Sequence, residues 1–330
     1  MNMPTSSGRS TAASNSESGL PIAVVERETG LGKDTLRVWE KRYGFPTPSR
    51  NSSGERSYSV EQVQRLKLIS RLLDTGLRPG KVVKLSEAEL HTLAAERTSS
   101  VMDDLSRTDN AWDSGMHPII DELLDAIGSH DPSALRHGLN HAQMRMGLAP
   151  FVIDLVAPLT TAVGEAWAQG RFEIFEEHLY TEVISAVLRQ AISSLAPQVL
   201  PRGPKVLLTT IPHEPHSLGL LMVEALLGLE GCVCVSLGTQ TPLTDIIEAA
   251  RAHQTDVVAL SFSSVNKTNV VQTSLAELRA RLPASTALWV GGACTALYQW
   301  PLAGVSAVQH LSGLQPLVAQ WRAFPARAGQ

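Results

Sequence analysis

The sequence predicts a multidomain chain: an all-α winged helix-turn-helix module, a four-helix bundle, and an α/β domain built on a parallel sheet. Three observations predict it. The chain has 330 residues, enough for two or three domains of ordinary size. Its charge is uneven, with 13 Lys/Arg against 9 Asp/Glu in residues 20–93 although the whole chain is net −4. Near residue 200 the apolar pattern changes from long helical stretches to short Val-rich runs that alternate with helices.

Composition narrows the function classes. Apolar residues are 43 % and charged residues 18 % of the chain, so buried cores are affordable, and the acidic balance excludes an all-over basic coat for nucleic acid. A basic module on an acidic body fits one DNA-facing domain. Three cysteines (Cys232, Cys234, Cys294) are too few for a disulfide framework and fit a reducing compartment. No apolar run reaches the ~20 residues of a membrane span; the nearest, Leu218–Leu229, is interrupted by Glu224. The expectation is a cytoplasmic protein that enters no membrane.

The elements follow in order. Met1–Gly19 is Ser-rich, lacks the apolar core of a secretory signal, and reads as a disordered tail. Residues 20–93 form the first module: a helix from Ile22 ending at Gly30, a second over Asp34–Arg42 with Asp34 as its cap, a Pro/Ser/Gly stretch, and a longer helix over Val60–Thr75. Residues 94–115 are a polar linker. Residues 116–200 hold four helices with breaks at Ser129–Pro132, Gly147–Pro150 and Gly170, the signature of a bundle. Residues 201–330 alternate strands at Val206, Val233, Val257, Ala287 and Val305 with helices, which demands a parallel sheet covered on both faces.

In the first module, Asp34–Arg42 presents Thr35, Arg37, Lys41 and Arg42, while Leu36, Val38 and Trp39 are read as anchors to the core. Gly30-Leu31-Gly32-Lys33 is not a phosphate loop, because Arg27 stands where its first Gly belongs and Asp34 where a magnesium-binding Ser or Thr belongs. On charge alone, a helical hairpin with a solvated basic face fits equally well. The motif order decides. Leu36-Arg37-Val38-Trp39-Glu40-Lys41-Arg42-Tyr43-Gly44, then Arg56-Ser57-Tyr58-Ser59, resembles the MerR-type winged-helix DNA-binding domain. The resemblance implies that Thr35, Arg37, Lys41, Arg42 and Tyr43 face double-stranded operator DNA, with Arg56 and Tyr58 on the wing.

The loop after the first Val-rich strand reads Ile211-Pro212-His213-Glu214-Pro215-His216-Ser217-Leu218-Gly219. A zinc protease needs two His four apart on a continuous helix, and here the spacing is three with Pro215 between. Cys232 and Cys234 are too few for a structural zinc site and lie in an apolar run, which favours core packing. Glu214-x-His216-x-x-Gly219, then Ser261-Phe262-Ser263, then Gly291-Gly292 resembles the cobalamin-binding domain of the methionine synthase and mutase class, a flavodoxin-like (Rossmann-type) sheet. The resemblance implies that His216 is the lower axial cobalt ligand and that Glu214 fixes its tautomer. It also implies that Gly219, Ser261, Ser263, Gly291 and Gly292 receive the nucleotide tail. Glu214 stands where the family has Asp, and Ser263 where it has Leu.

Trp167, with Glu177-His178 following, adds a further likeness once the first module is included: the chain resembles the CarH/LitR family of light-sensing MerR–cobalamin repressors. That implies a pocket of Trp167, Ile174, Glu177 and His178 around the adenosyl group of adenosylcobalamin, a homotetramer in the dark that binds operator DNA, and release by light. Without the likeness, Trp167 reads as bundle core and Glu177-His178 as a solvated helix start. Ala168 stands where photoreceptors of the family carry a His that captures cobalt after photolysis. It leaves open a light-independent sensor of cobalamin or methylcobalamin. A corrinoid carrier shares the bundle-plus-sheet architecture, but the DNA-reading module and the lack of a catalytic domain argue against an enzyme.

Overall fold

The computed structural model describes residues 19–50, 54–74, 77–93, 116–195 and 203–323, which fall into two compact units. The expected tail up to residue 18 and the linker 94–115 lie outside the described residues.

The N-terminal unit is not all helical. Strands β1 (Leu20–Pro21), β2 (Ser49–Arg50) and β3 (Arg56–Tyr58) form a three-stranded antiparallel sheet in the order β1-β3-β2. Two-residue strands leave almost no alternation to read, so the sequence hid them. Helices Ile22–Thr29 and Lys33–Tyr43 both stop at a left-handed glycine, Gly30 (φ 68°) and Gly44 (φ 73°), whose missing Cβ permits the reversal. Gly32, not Asp34, occupies the cap of the second helix; Asp34 lies inside its first turn and accepts from Arg37 at 3.0 Å. Leu36, Trp39, Tyr58, Leu66 and Ile69 fill the small core. Val38, expected to join them, is 53 % exposed.

In the second unit the four bundle helices are Met116–Gly128, Pro132–Met146, Leu148–Ala168 and Ile174–Ser193. Asp131 caps the second helix by accepting from the backbones of Ser133 (3.0 Å) and Ala134 (2.9 Å). Glu173 and Glu176 form a capping box at the start of the fourth. The third helix widens to a π-helix over Phe151–Val156, just where Pro158 has no N–H to give the Asp154 carbonyl. This helix has the length and hydropathy to cross a membrane, but Phe151, Val152, Leu155, Val156, Leu159, Val163 and Ala166 are buried in the bundle, as expected of a core helix.

Strands β4 (Lys205–Thr209), β5 (Val233–Gly238), β6 (Val257–Ser261), β7 (Ala287–Gly291) and β8 (Val305–Val308) form an all-parallel sheet in the order β5-β4-β6-β7-β8. Alternation along β4 sorts the two faces. Val206 and Leu208 join helix Leu218–Leu229, the bundle and helix Leu314–Ala323 in one core. Leu207 packs the other way, with Ile246, Ile247, Leu275 and Leu278. The bundle and the sheet therefore share one continuous apolar core.

Candidate functional site

β4 delivers the chain to the carboxyl edge of the sheet, beside the point between β4 and β6 where strand order reverses; this is where ligands settle in open α/β sheets. Thr210 ties the following loop: its hydroxyl donates to the Glu214 carbonyl (2.6 Å) and accepts from the Gln240 N–H (2.8 Å). Within that loop Glu214 folds inward and is 1 % exposed. Four donors meet its carboxylate. The His216 ring Nδ1 (2.6 Å) and the His216 N–H (3.1 Å) share Oε1; the Ser263 N–H (2.7 Å) and the Asn266 amide share Oε2. Burial by itself raises the Glu214 carboxyl pKa, but the bonds from His216 and Ser263 outweigh it and hold the group at about 2. An ionised carboxylate only accepts, so His216 Nδ1 carries a proton, and in the neutral ring the lone pair is then on Nε2. The side chain of His216 is 59 % exposed, so the ring stands out of the loop rather than in the core.

Ser261 ends β6 and Gly291 ends β7, on the same edge. A Cβ at Gly219 would lie 2.7 Å from the Ser261 hydroxyl. At Gly291 it would lie 2.9 Å from the Val308 carbonyl, and at Gly292 (φ +113°) it would strike the Phe262 backbone. The sheet's own packing therefore demands glycine at 291 and 292, whereas Gly219 is spare only against Ser261. Ser263 works through its backbone N–H; its buried hydroxyl makes no well-formed hydrogen bond among the described residues. Sequence reasoning missed Asn266, whose only signal is its place three residues beyond Ser263 in the loop after β6. It also missed Tyr298, whose hydroxyl donates toward the carbonyls of Gly292 (2.7 Å) and Val308 (3.2 Å).

The donor set fits cobalamin: one imidazole with its tautomer fixed, a hydroxyl beside a glycine lacking a Cβ, and a strand edge open to a ligand. Among the described residues no group of three or more His, Cys, Asp or Glu could hold a metal ion by protein ligands alone. The cysteines do not alter this. Burial pushes the Cys232 thiol up to about 12 and raises Cys234 as well, so neither is a thiolate at neutral pH.

The fourth bundle helix carries Ile174, Glu177 and His178 in its first turns. Its last turns, at Arg189, Ile192 and Ser193, line a groove with Ser217, Leu220 and Glu224, next to His216. Glu177 stands twelve residues earlier, about 18 Å along the axis at 1.5 Å per residue. The Thr181 hydroxyl donates to Glu177 Oε1 at 2.8 Å, and His178 Nε2 lies 3.6 Å from Oε2. Ile174 and His178 are largely exposed, and Trp167 is half-buried against the bundle core. The upper and lower residues are thus held apart by a length of helix rather than packed on one another.

In the N-terminal unit Arg37, Lys41 and Arg42 are exposed on the second helix, Thr35 and Tyr43 are half-buried, and the Arg42 guanidinium lies 5.4 Å from the Tyr43 ring centre. Arg56 Nε donates to Glu40 Oε2 at 2.8 Å, pinning the wing strand to this helix. Tyr58 does not belong with them. It is 0 % exposed because the alternation of β3 turns it inward, so it is a core residue and not a DNA contact.

Residues 20–89 match the MerR HTH family regulatory proteins, and residues 119–192 and 204–310 each match a B12 binding domain. Over 279 residues the chain is 29 % identical to the HTH-type transcriptional repressor CarH of Myxococcus xanthus, covering 84 % of this chain and 90 % of that one. The chain is similar to MerR-family repressors of the CarH type. The HTH-type transcriptional repressor CarA of the same organism is also 29 % identical, over 92 % of both chains. Among solved structures, the chain is similar to the monomethylamine corrinoid protein of Methanosarcina barkeri, with a TM-score of 0.47, 16 % identity, and coverage of 62 % of this chain and 98 % of that one.

Proposed function

We propose that this protein is a CarH-type transcriptional repressor whose grip on operator DNA is governed by adenosylcobalamin and light. The carrying observation is the His216–Glu214 pair: a projecting imidazole whose Nδ1 is held at 2.6 Å by a buried, ionised carboxylate at the edge of the sheet. That arrangement would leave the other ring nitrogen to hold a cobalt ion and would raise its basicity. Bound adenosylcobalamin would supply a light-labile cobalt–carbon bond. Around it, Gly219, Ser261, Gly291, Gly292 and the Ser263 backbone border the slot for the nucleotide tail, while Trp167, Ile174, Glu177 and His178 close the upper side. A ligand bridging bundle and sheet favours one arrangement of the two, and that arrangement is read out as a homotetramer in which Arg37, Lys41, Arg42, Tyr43 and Arg56 meet the duplex.

The test joins colour to DNA binding. His216→Ala, purified with adenosylcobalamin, should come off a desalting column colourless while remaining folded. The parent should shift its own promoter fragment in the dark with adenosylcobalamin and release it on illumination. A variant that keeps the pigment as tightly as the parent removes the axial-ligand assignment.

A second reading rests on Ala168, half-buried directly after Trp167, which cannot coordinate cobalt. In that reading the protein senses cobalamin or methylcobalamin supply without light. A promoter shift that is equal in dark and light, and equal with methylcobalamin, would select it.

A further inference from the structure

The exposure of Val38 is unexplained by the fold. It lies in the middle of helix Lys33–Tyr43, where Asp34, Arg37, Val38 and Lys41 follow the i, i+3, i+4, i+7 spacing of one helical face. The opposite face is committed to the core through Leu36 (0 % exposed) and Trp39 (4 %), while Val38 is 53 % exposed. A β-branched residue there lowers helix propensity and gains no burial in return. Around it the face is polar: Asp34 holds the Arg37 guanidinium at 3.0 Å, and Lys41 and Arg42 are exposed. The Arg56–Glu40 ion pair fixes the wing on this same helix.

We propose that Val38 reads a thymine C5-methyl group in the major groove of the operator. The inference rests on operator binding by this module and adds to it a base-specific contact. Thymine is marked in the major groove by its methyl group, and a small apolar side chain is the natural complement. In a helix the valine side chain has one strongly preferred χ1 rotamer, so its two methyls already point in a fixed direction and little entropy is lost on contact. Arg37 is partly neutralised by Asp34, which leaves Lys41 and Arg42 to hold phosphates, a task without sequence information.

Binding sites are selected from a random-sequence duplex pool with the full chain carrying adenosylcobalamin, in the dark. Each thymine of the selected site is then replaced singly by deoxyuridine, which lacks only the methyl. For the parent, one thymine per half-site should be sensitive, its replacement lowering affinity about fourfold, as expected for one buried methyl. In Val38→Ala, which folds normally because the side chain is exposed, that sensitivity should vanish. Deoxyuridine without effect at every position overturns the proposal while leaving operator binding intact. Sensitivity that persists in Val38→Ala also overturns it, because another group such as the Thr35 methyl is then the reader. Failure to select any sequence overturns operator recognition itself and this inference with it.

Discussion

Glu214→Gln probes the lower loop most sharply, because the replacement keeps the size of the side chain and removes only its charge. The carboxyl is held at about 2 instead of the ordinary 4.5. At about 1.4 kcal/mol per tenfold, that difference stabilises the folded loop by roughly 3 kcal/mol at neutral pH. The glutamine also turns an amide N–H₂ toward the Ser263 N–H or the Asn266 amide, setting donor against donor in a site where Glu214 is 1 % exposed. The cobalamin-free variant should therefore be about 2–4 kcal/mol less stable at pH 7 in urea unfolding followed by tryptophan fluorescence. The sign of the pH dependence follows from a folded value below the unfolded one. The contribution is complete above pH 4.5 and disappears as pH falls toward 2, so the gap between parent and variant is constant near neutrality and narrows in acid. A gap below about 0.5 kcal/mol at pH 7, within the range of an ordinary surface substitution, would refute the convergence of donors on this carboxylate. So would a gap that stays the same in acid.

Four further outcomes follow from the same geometry. Tyr58→Phe should leave both thermal stability and DNA affinity within error of the parent, since the buried hydroxyl has no partner among the described residues; a clear loss of DNA affinity would return Tyr58 to the interface. Arg56→Ala should weaken binding to all duplexes alike and reduce the slope of log K against log salt by about one. Altered preference at a single base pair would contradict the phosphate role. Thr160→Val removes the partner at 2.6 Å from the buried Tyr180 hydroxyl and should cost about 1–3 kcal/mol in bundle stability, measured by thermal unfolding. Gly292→Ala should yield misfolded or insoluble protein even without cobalamin, because its Cβ meets the Phe262 backbone; a soluble, stable product would show that the loop relaxes more easily than its φ of +113° implies.

The regular parts of this molecule were legible because they repeat. The five strands of the large sheet begin within a residue of where Val-rich runs place them, and the four bundle helices break at Gly147 and Gly170 and at the Asp131 cap as the breakers dictate. The N-terminal unit was read less well. Its strands are two or three residues long, too short for a period, and Val38 and Tyr58 exchanged the roles expected of them. A single apolar residue among charged ones carries no phase of its own. Which way it faces depends on the neighbouring elements that close the core.

What the order of residues determined by itself was local and chemical: where helices start and stop, which strands are apolar on both faces, and a spacing of Glu214, His216, Ser261 and Gly291 that resembles a cobalamin-binding motif. Only the folded chain decided which groups meet. It brought the backbone of Ser263 and the amide of Asn266 to a carboxylate about 50 residues away, turned Tyr58 inward, and gave Gly291 and Gly292 a packing reason independent of any ligand. The reason is that contacts distant in sequence are set by strand order and the register of the sheet, and neither leaves a trace in the spacing of neighbouring residues.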